Sequence, residues 1–181
     1  MAEPDMGAFV VVALIAFGIL FLGGINAKLF GGLIVVGLMS AATMIALSPF
    51  RRGRMLAFMD PWQVDNAANK GYQLTHSLMA FGRGEWFGTG LGGSVEKLHY
   101  LPEAHTDFIF GVIGEEFGLL GTLATLVAIS LLVICIIKIA LSAKDTFSRY
   151  LGLGIAFWIG FQSLINLASA TSLIPVVGVT L

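Results

Sequence analysis

Four long stretches without a charged residue constrain this chain more than any other feature of its sequence. They cover 6–27, 29–50, 117–137 and 150–181. Each is at least as long as the roughly 20 residues that an α-helix needs to cross the hydrocarbon core of a bilayer. A mean hydropathy of +0.90, with 57% hydrophobic and only 12% charged residues, lies far outside the usage of soluble domains. The sequence therefore predicts a polytopic membrane protein with about four transmembrane helices.

The predicted spans should be helices, which makes the expected fold class all-α. In lipid, an open strand would leave its backbone N–H and C=O groups unpaired, and the four stretches lack the alternation of a barrel wall. Residues 72–84 predict a short amphipathic helix that lies on the membrane. We expect a single membrane domain over 1–181, in which 51–116 forms a long extracytoplasmic segment that carries the site.

The distribution of charge predicts the sidedness of the chain. With four spans, both chain ends and 51–116 lie on one side of the membrane, and the short loops around Lys28 and over 138–149 lie on the other. A bare count of basic residues, four in the short loops against six in 51–116, favours 51–116 in the cytoplasm. The positive-inside rule, however, applies to short loops near span ends, and a long segment can be translocated regardless of its charge. We therefore expect the short loops in the cytoplasm and 51–116 outside.

Polar chemistry is concentrated in 51–116. This segment holds 14 of the 21 charged residues and all three histidines. The net charge of −1 argues against nucleic acid as a partner. The single cysteine, Cys135, lies within a predicted span, so the sequence predicts no disulfide framework.

Three arginines, Arg51, Arg52 and Arg54, follow the second predicted span directly. Guanidinium groups form paired hydrogen bonds with phosphate oxygens and stay charged at any working pH. The cluster therefore suits a lipid pyrophosphate at the bilayer surface. Snorkelling of the same side chains to lipid headgroups also explains it, and the pattern alone favours snorkelling.

A carboxylate is predicted at the rim of the third span. Pro102 and Thr106 mark a helix start that puts Asp107 in the first turn. Such a residue can serve as a general base for a substrate hydroxyl, or it can simply be a helix-capping aspartate that the helix dipole favours. On pattern alone, the capping explanation is the simpler one.

Glu115 is the second carboxylate of interest on that helix. Spacings of four residues place Asp107, Gly111 and Glu115 on one face, and Glu116 on the opposite face. Glu115 would then line the same cavity as Asp107 or form a buried ion pair with an arginine of another span. The residues leave both alternatives open.

Further polar residues have weaker functional signals. Lys97 could contact a pyrophosphate or could simply be solvated. Glu103 and His105 could orient a substrate or bind a divalent cation, but Glu-x-His is too short and too common to predict a metal site, and loop polarity is the simpler account. Gln162 and Asn166 lie one turn apart in the last span, where amides usually hold helices together.

Residues 72–116, which read YQLTHSLMAFGRGEWFGTGLGGSVEKLHYLPEAHTDFIFGVIGEE, closely resemble the SEDS family (shape, elongation, division and sporulation). Both main branches of that family share Pro-Glu-x-His-Thr-Asp-Phe, here 102–108. The lead-in at 97–100 and the run at 77–84 are more similar to the cell-division branch than to the elongation branch. Motifs at 3–7 and 58–62 also match, so the resemblance covers essentially the whole chain.

The resemblance implies a peptidoglycan glycosyltransferase that polymerises lipid II, an undecaprenyl-pyrophosphate-linked precursor, with inversion during septal cell-wall synthesis. The essential aspartate of the family falls on Asp107, and its basic residues fall on Arg51 and Arg54; Arg52 is closer to the elongation pattern. The implied location is the bacterial inner membrane. Lipid II, a class B penicillin-binding transpeptidase and other divisome membrane proteins are the implied partners. No cofactor is implied with certainty, and a divalent cation is the one candidate.

Two further expectations accompany this resemblance. Family members are much longer, so we expect the chain to be a fragment that lacks earlier spans and the last span, and to be inactive in isolation. A membrane protein that binds or translocates lipid II without catalysis is the alternative function from a different class.

Overall fold

The computed structural model describes residues 6–63, 71–97 and 106–175. Six helices form within these ranges, and no strand does, which confirms the all-α fold class. In chain order the helices are α1 (Met6–Leu22), α2 (Ala27–Leu47), α3 (Pro49–Met59), α4 (Tyr72–Gly84), α5 (Ile109–Ser142) and α6 (Thr146–Ala170). The amphipathic helix predicted over 72–84 corresponds to α4.

Three of the helices, α2, α5 and α6, are long and apolar enough to cross a membrane, and the chain is a multi-pass membrane protein. The first predicted span forms the shorter apolar helix α1, which ends at Leu22 and not at 27. Gly24 has a φ of +74°, a conformation that glycine adopts without strain. The Asn26 side chain then caps α2 by accepting a hydrogen bond from the Lys28 N–H at 2.9 Å.

The other predicted spans differ from the helices at their ends, for local reasons. The second ends at Leu47 because Pro49 disfavours helical geometry at Ser48, which is extended. The third begins at Ile109 and not at 117, so that both glutamates before 117 lie within α5. The last begins at Thr146, after the N-cap Asp145, and its helix ends at Ala170.

The core of the described structure lies where α4, the start of α5 and the end of α6 meet. Phe108, Phe110 and Ala170 are fully buried there. Helix α6 packs along α5 and also against α1, α4 packs on α5, and α3 packs mainly on α2. This core therefore lies directly beside the first residues of α5, the place where the sequence predicts a functional carboxylate.

Candidate functional site

Asp107 lies in a turn over 106–108 that leads into α5. The prediction of a helix start near Thr106 was wrong by about one turn, because Phe108 has non-helical backbone angles (φ −122°, ψ 27°) and α5 begins at Ile109. Phe108 is buried in the core, and Asn166 of α6 donates a 3.2 Å hydrogen bond to the Thr106 carbonyl oxygen. The half-buried Asp107 is thus flanked by two fixed residues.

The bond from Asn166 also gives that residue the structural role predicted for it. Its amide holds α6 to the turn before α5, as amides within spans commonly do. A second bond supports the same region, because the buried Ser77 hydroxyl of α4 donates to the Ala170 carbonyl oxygen at 2.8 Å. The turn that carries Asp107 is therefore bonded to α6, and α6 is bonded in turn to α4.

Helix α5 is broken at Gly118, which sequence reasoning missed. Gly118 has φ 67° and ψ −165°, angles that a residue with a Cβ rarely adopts. In a regular helix, the N–H groups of 119 and 120 would bond to the carbonyl oxygens of 115 and 116. Here the two N–H groups and the two carbonyl oxygens each bond separately to the loop after α4. The four replacements are Leu119 N–H to Glu85 O (2.9 Å), Leu120 N–H to Trp86 O (3.2 Å), Thr89 N–H to Glu115 O (2.9 Å) and Gly90 N–H to Glu116 O (3.0 Å).

The side chain of Glu115 is fully buried beneath this loop. It accepts hydrogen bonds from the Ser94 hydroxyl at 2.6 Å, from the Val95 N–H at 3.1 Å and from the Glu96 N–H at 3.3 Å. Nη1 of Arg83, at the end of α4, lies 3.3 Å from Oε1 of Glu115. The structure thus shows an ion pair of the buried Glu115, but its arginine comes from α4 and not from another span, and the arginine side chain is 46% exposed.

Lys97 forms a second ion pair with α5, through the carboxylate of Glu116. Glu116 was predicted on the face opposite to Asp107, and its side chain is nevertheless buried, because it pairs with the loop that ends in Lys97. About a third of the Lys97 side chain, 35%, stays exposed. Lys97 is therefore anchored at the rim of the site by a carboxylate, and part of it can still reach a ligand.

His76 and Glu96 form a pair that no sequence pattern predicts. Nδ1 of His76 lies 2.6 Å from Oε2 of Glu96, and the Tyr72 ring lies 4.1 Å from the imidazole, between ring centroids. The pair joins α4 to the end of the loop. Partners 20 residues apart, one on a helix and one in a loop, share no periodicity by which they could have been found.

The structure brings together only part of the predicted site. The Lys97 side chain pairs with Glu116 of α5, Glu115 lies on that helix, and the turn of Asp107 precedes it, whereas Arg51, Arg52 and Arg54 lie on α3. Arg52 is exposed and Arg54 is half-buried. Glu103 and His105 lie outside the described residues. Among the residues that are described, no three His, Cys, Asp or Glu side chains are grouped as a metal ion would require.

Residues 1–181 match the model of a family of cell cycle proteins that takes in FtsW, RodA and SpoVE. The probable peptidoglycan glycosyltransferase FtsW of Polynucleobacter necessarius subsp. necessarius is 71% identical over 184 residues, which cover 100% of this chain and 44% of that protein. The protein of the same description from Burkholderia thailandensis is 53% identical, again over 100% of this chain, and 40% of its own length is covered. The chain thus spans less than half of the length of these relatives.

A solved structure shows the same fold. In a peptidoglycan synthase complex described as coordinating polymerization and crosslinking, one chain superposes with a TM-score of 0.73 at 28% sequence identity. The superposition covers 99% of this chain and 49% of that one.

Proposed function

The chain belongs to the family of cell cycle proteins that takes in FtsW, RodA and SpoVE, and on this premise we propose that it carries the catalytic region of a peptidoglycan glycosyltransferase. The substrate would be lipid II, and the product a glycan strand of the septal cell wall. The relatives' description as probable peptidoglycan glycosyltransferases supports this assignment.

The observation that carries the proposal is the position of Asp107. Its turn precedes α5, whose uncharged stretch begins at Phe117. From Ile109 to Phe117 is eight residues, or roughly 12 Å at the helical rise of about 1.5 Å per residue. In the proposal, Asp107 lies just outside the hydrocarbon, at the level of the headgroup of a lipid-linked sugar. A carboxylate there can take the proton from an attacking sugar hydroxyl.

Cations must stabilise the pyrophosphate as it leaves. In the proposed site, Arg51, Arg54 and, secondarily, Arg52 supply guanidinium groups for this purpose, and Lys97 supplies an ammonium at the rim of the site. Glu103 and His105 would orient the substrate. Glu115 has a positioning role in this proposal. Its carboxylate contacts Arg83 and accepts hydrogen bonds from the hydroxyl of Ser94 and from the N–H groups of 95 and 96, and these bonds hold the loop that ends in Lys97 in place.

The proposal includes a location and partners. The chain would lie in the bacterial inner membrane, with 51–116 on the periplasmic or outer side as the catalytic segment of a single membrane domain. It would work with a class B penicillin-binding transpeptidase and other membrane proteins of the divisome. The relationship to a chain of a peptidoglycan synthase complex supports such a partnership.

The test is polymerisation of labelled lipid II by the full-length protein in vesicles, with and without the transpeptidase. We expect glycan polymer on a gel, with no requirement for an added nucleotide sugar. Binding of lipid II, or its transfer across the bilayer, without any polymer would favour the non-enzymatic alternative. A matched sample that carries Lys144→Ala, in the short loop between α5 and α6, should polymerise normally.

A further inference from the structure

The position of the helix break relative to the bilayer can be derived from the sequence of α5. Between Glu116 and Lys138, residues 117–137 carry no charge. These 21 residues extend roughly 32 Å at about 1.5 Å each, which is close to the hydrocarbon thickness of about 30 Å. Glu116 and Lys138 therefore lie at the two edges of the hydrocarbon. Gly118, where the helix is broken, lies at one of these edges.

The loop over 85–91 is fixed at the same depth as Gly118. Its backbone is joined to both sides of the break by the four hydrogen bonds described above. Packing holds it as well, because a Cβ added to Gly88 would lie 2.1 Å from the Glu116 carbonyl oxygen. This pairing is what a non-helical segment needs where water is scarce, because backbone groups facing lipid must be satisfied within the protein.

The side chains that this loop presents are apolar and exposed. Trp86 is 63% exposed, Phe87 81% and Leu91 83%, and no charged residue occurs over 86–91. On the helix itself, Leu119 and Leu120, which bond the loop, are 42% and 49% exposed. Exposed apolar groups on the loop thus lie at the same depth as the outward-facing side chains of a membrane span.

We propose that residues 86–91 form a membrane anchor that inserts Trp86, Phe87 and Leu91 into the boundary between headgroups and acyl chains. A lipid surface is the occupant that the depth favours, since α5 enters the hydrocarbon at this level. Indole rings also concentrate at the membrane interface, where they present an apolar body and a polar N–H. The anchor would fix the depth of the Glu115 and Lys97 contacts relative to the edge of the hydrocarbon. It does not depend on the proposed function.

Tryptophan fluorescence tests the anchor directly. The full-length protein is prepared with Trp86 as its only tryptophan, the others being changed to phenylalanine, and is reconstituted with phosphatidylcholine brominated either near the headgroup end or near the methyl end of its acyl chains. We expect strong quenching of Trp86, greater with the shallow bromines. A second protein, with Trp158 in the middle of α6 as its only tryptophan, is the matched control and should be quenched more by the deep bromines. Absence of quenching by either lipid would mean that protein or water covers Trp86, and would overturn the proposal.

A second measurement keeps the proposal testable if the tryptophan replacements fail to fold. A nitroxide is attached at Leu91→Cys in a Cys135→Ser background, with Leu131→Cys in the span and Lys144→Cys in the short loop as references. Power saturation should show Leu91 more accessible to oxygen than to a water-soluble nickel complex, as at Leu131. If the nitroxide at Leu91 were instead as accessible to the nickel complex as the one at Lys144 in the short loop, membrane insertion would be contradicted.

Discussion

Nη1 of Arg83 lies 3.3 Å from Oε1 of the fully buried Glu115, and this contact joins the end of α4 to α5 just before its break. The same carboxylate binds the loop through the hydroxyl of Ser94. Asp107 lies eight residues before Glu115 and is fastened to α6 through Thr106. The turn of the proposed base and the loop that ends in Lys97 are therefore parts of one packed unit.

Glu115→Ala should destabilise this unit far more than Arg83→Ala. Removal of the carboxylate leaves three donors of the loop without their acceptor, and a buried donor left unsatisfied costs about 1–3 kcal/mol. The Arg83 side chain is 46% exposed, so water can partly take its place beside the carboxylate, and its loss should cost less than the loss of the acceptor that three loop donors share. Thermal unfolding in detergent measures both. Equal effects of the two variants would contradict the buried bonding of Glu115.

The crossing of α4 and α5 depends on a glycine contact. A Cβ added to Gly84 would lie 1.8 Å from the Gly114 carbonyl oxygen, whereas one added to Gly82 would meet nothing within 4 Å. Gly84→Ala should therefore push the helices apart and cost about 1–3 kcal/mol or more. Gly82→Ala, in the same helix, should be neutral or stabilise by up to about 1 kcal/mol. Thermal unfolding of the two variants checks this, and a harmless Gly84→Ala would contradict the close crossing.

The start of α6 should be sensitive to pH through Asp145. Its carboxylate accepts a 2.7 Å hydrogen bond from the Ser148 N–H, and this bond holds the pKa of Asp145 below its usual range. A lowered pKa means that the ionised cap stabilises the folded state above the pKa of the unfolded chain, and that this contribution is lost as the pH falls through the folded pKa. The difference in melting temperature between wild type and Asp145→Asn should therefore be present at neutral pH and vanish in acid. A difference that does not change with pH would count against the charged cap.

The positions of the spans were predictable because long uncharged stretches are encoded locally. Their ends were not, since Asn26, Pro49 and Asp145 act through capping and backbone restriction over a few residues. The break at Gly118 was the least visible feature. A glycine within a span usually signals close packing, and only the four bonds to a distant loop show that the helix opens there.

Prediction of the site was limited by contacts between residues distant in sequence. Asp107 could be placed at the rim of α5 from Pro102 and Thr106, although the helix begins later. The sequence left open whether Glu115 lines a cavity or forms an ion pair. It could not identify the partner, Arg83, which lies 32 residues earlier in the chain. Helical spacing could place Glu116 on the face opposite to Asp107, but it could not show that the loop that ends in Lys97 buries this residue.

The arginine cluster on α3 should contribute to substrate binding if it holds the pyrophosphate. Arg51→Ala with Arg54→Ala in the full-length protein should weaken lipid II binding at least about tenfold, because each charge-assisted contact is worth about 1.5–3 kcal/mol. The residual binding should also be less sensitive to salt. Lys138→Ala with Lys144→Ala removes the same charge from the predicted cytoplasmic side and is the matched control. Unchanged affinity in the arginine variant would leave only the snorkelling role for α3.

Asp107→Asn in the full-length protein tests the central claim most directly. The amide keeps the size of the side chain and most of its hydrogen bonding but cannot accept the proton of the sugar hydroxyl. Asp107→Glu should recover little activity, because a shift of the carboxylate by about 1 Å can cost on the order of 10²-fold in rate. Polymer from labelled lipid II is measured on a gel beside lipid II binding. We predict that the Asn variant folds and binds lipid II but makes no polymer. Loss of binding together with activity would indicate a structural cap. Polymer at the wild-type level from the Asn variant would contradict a catalytic base at Asp107.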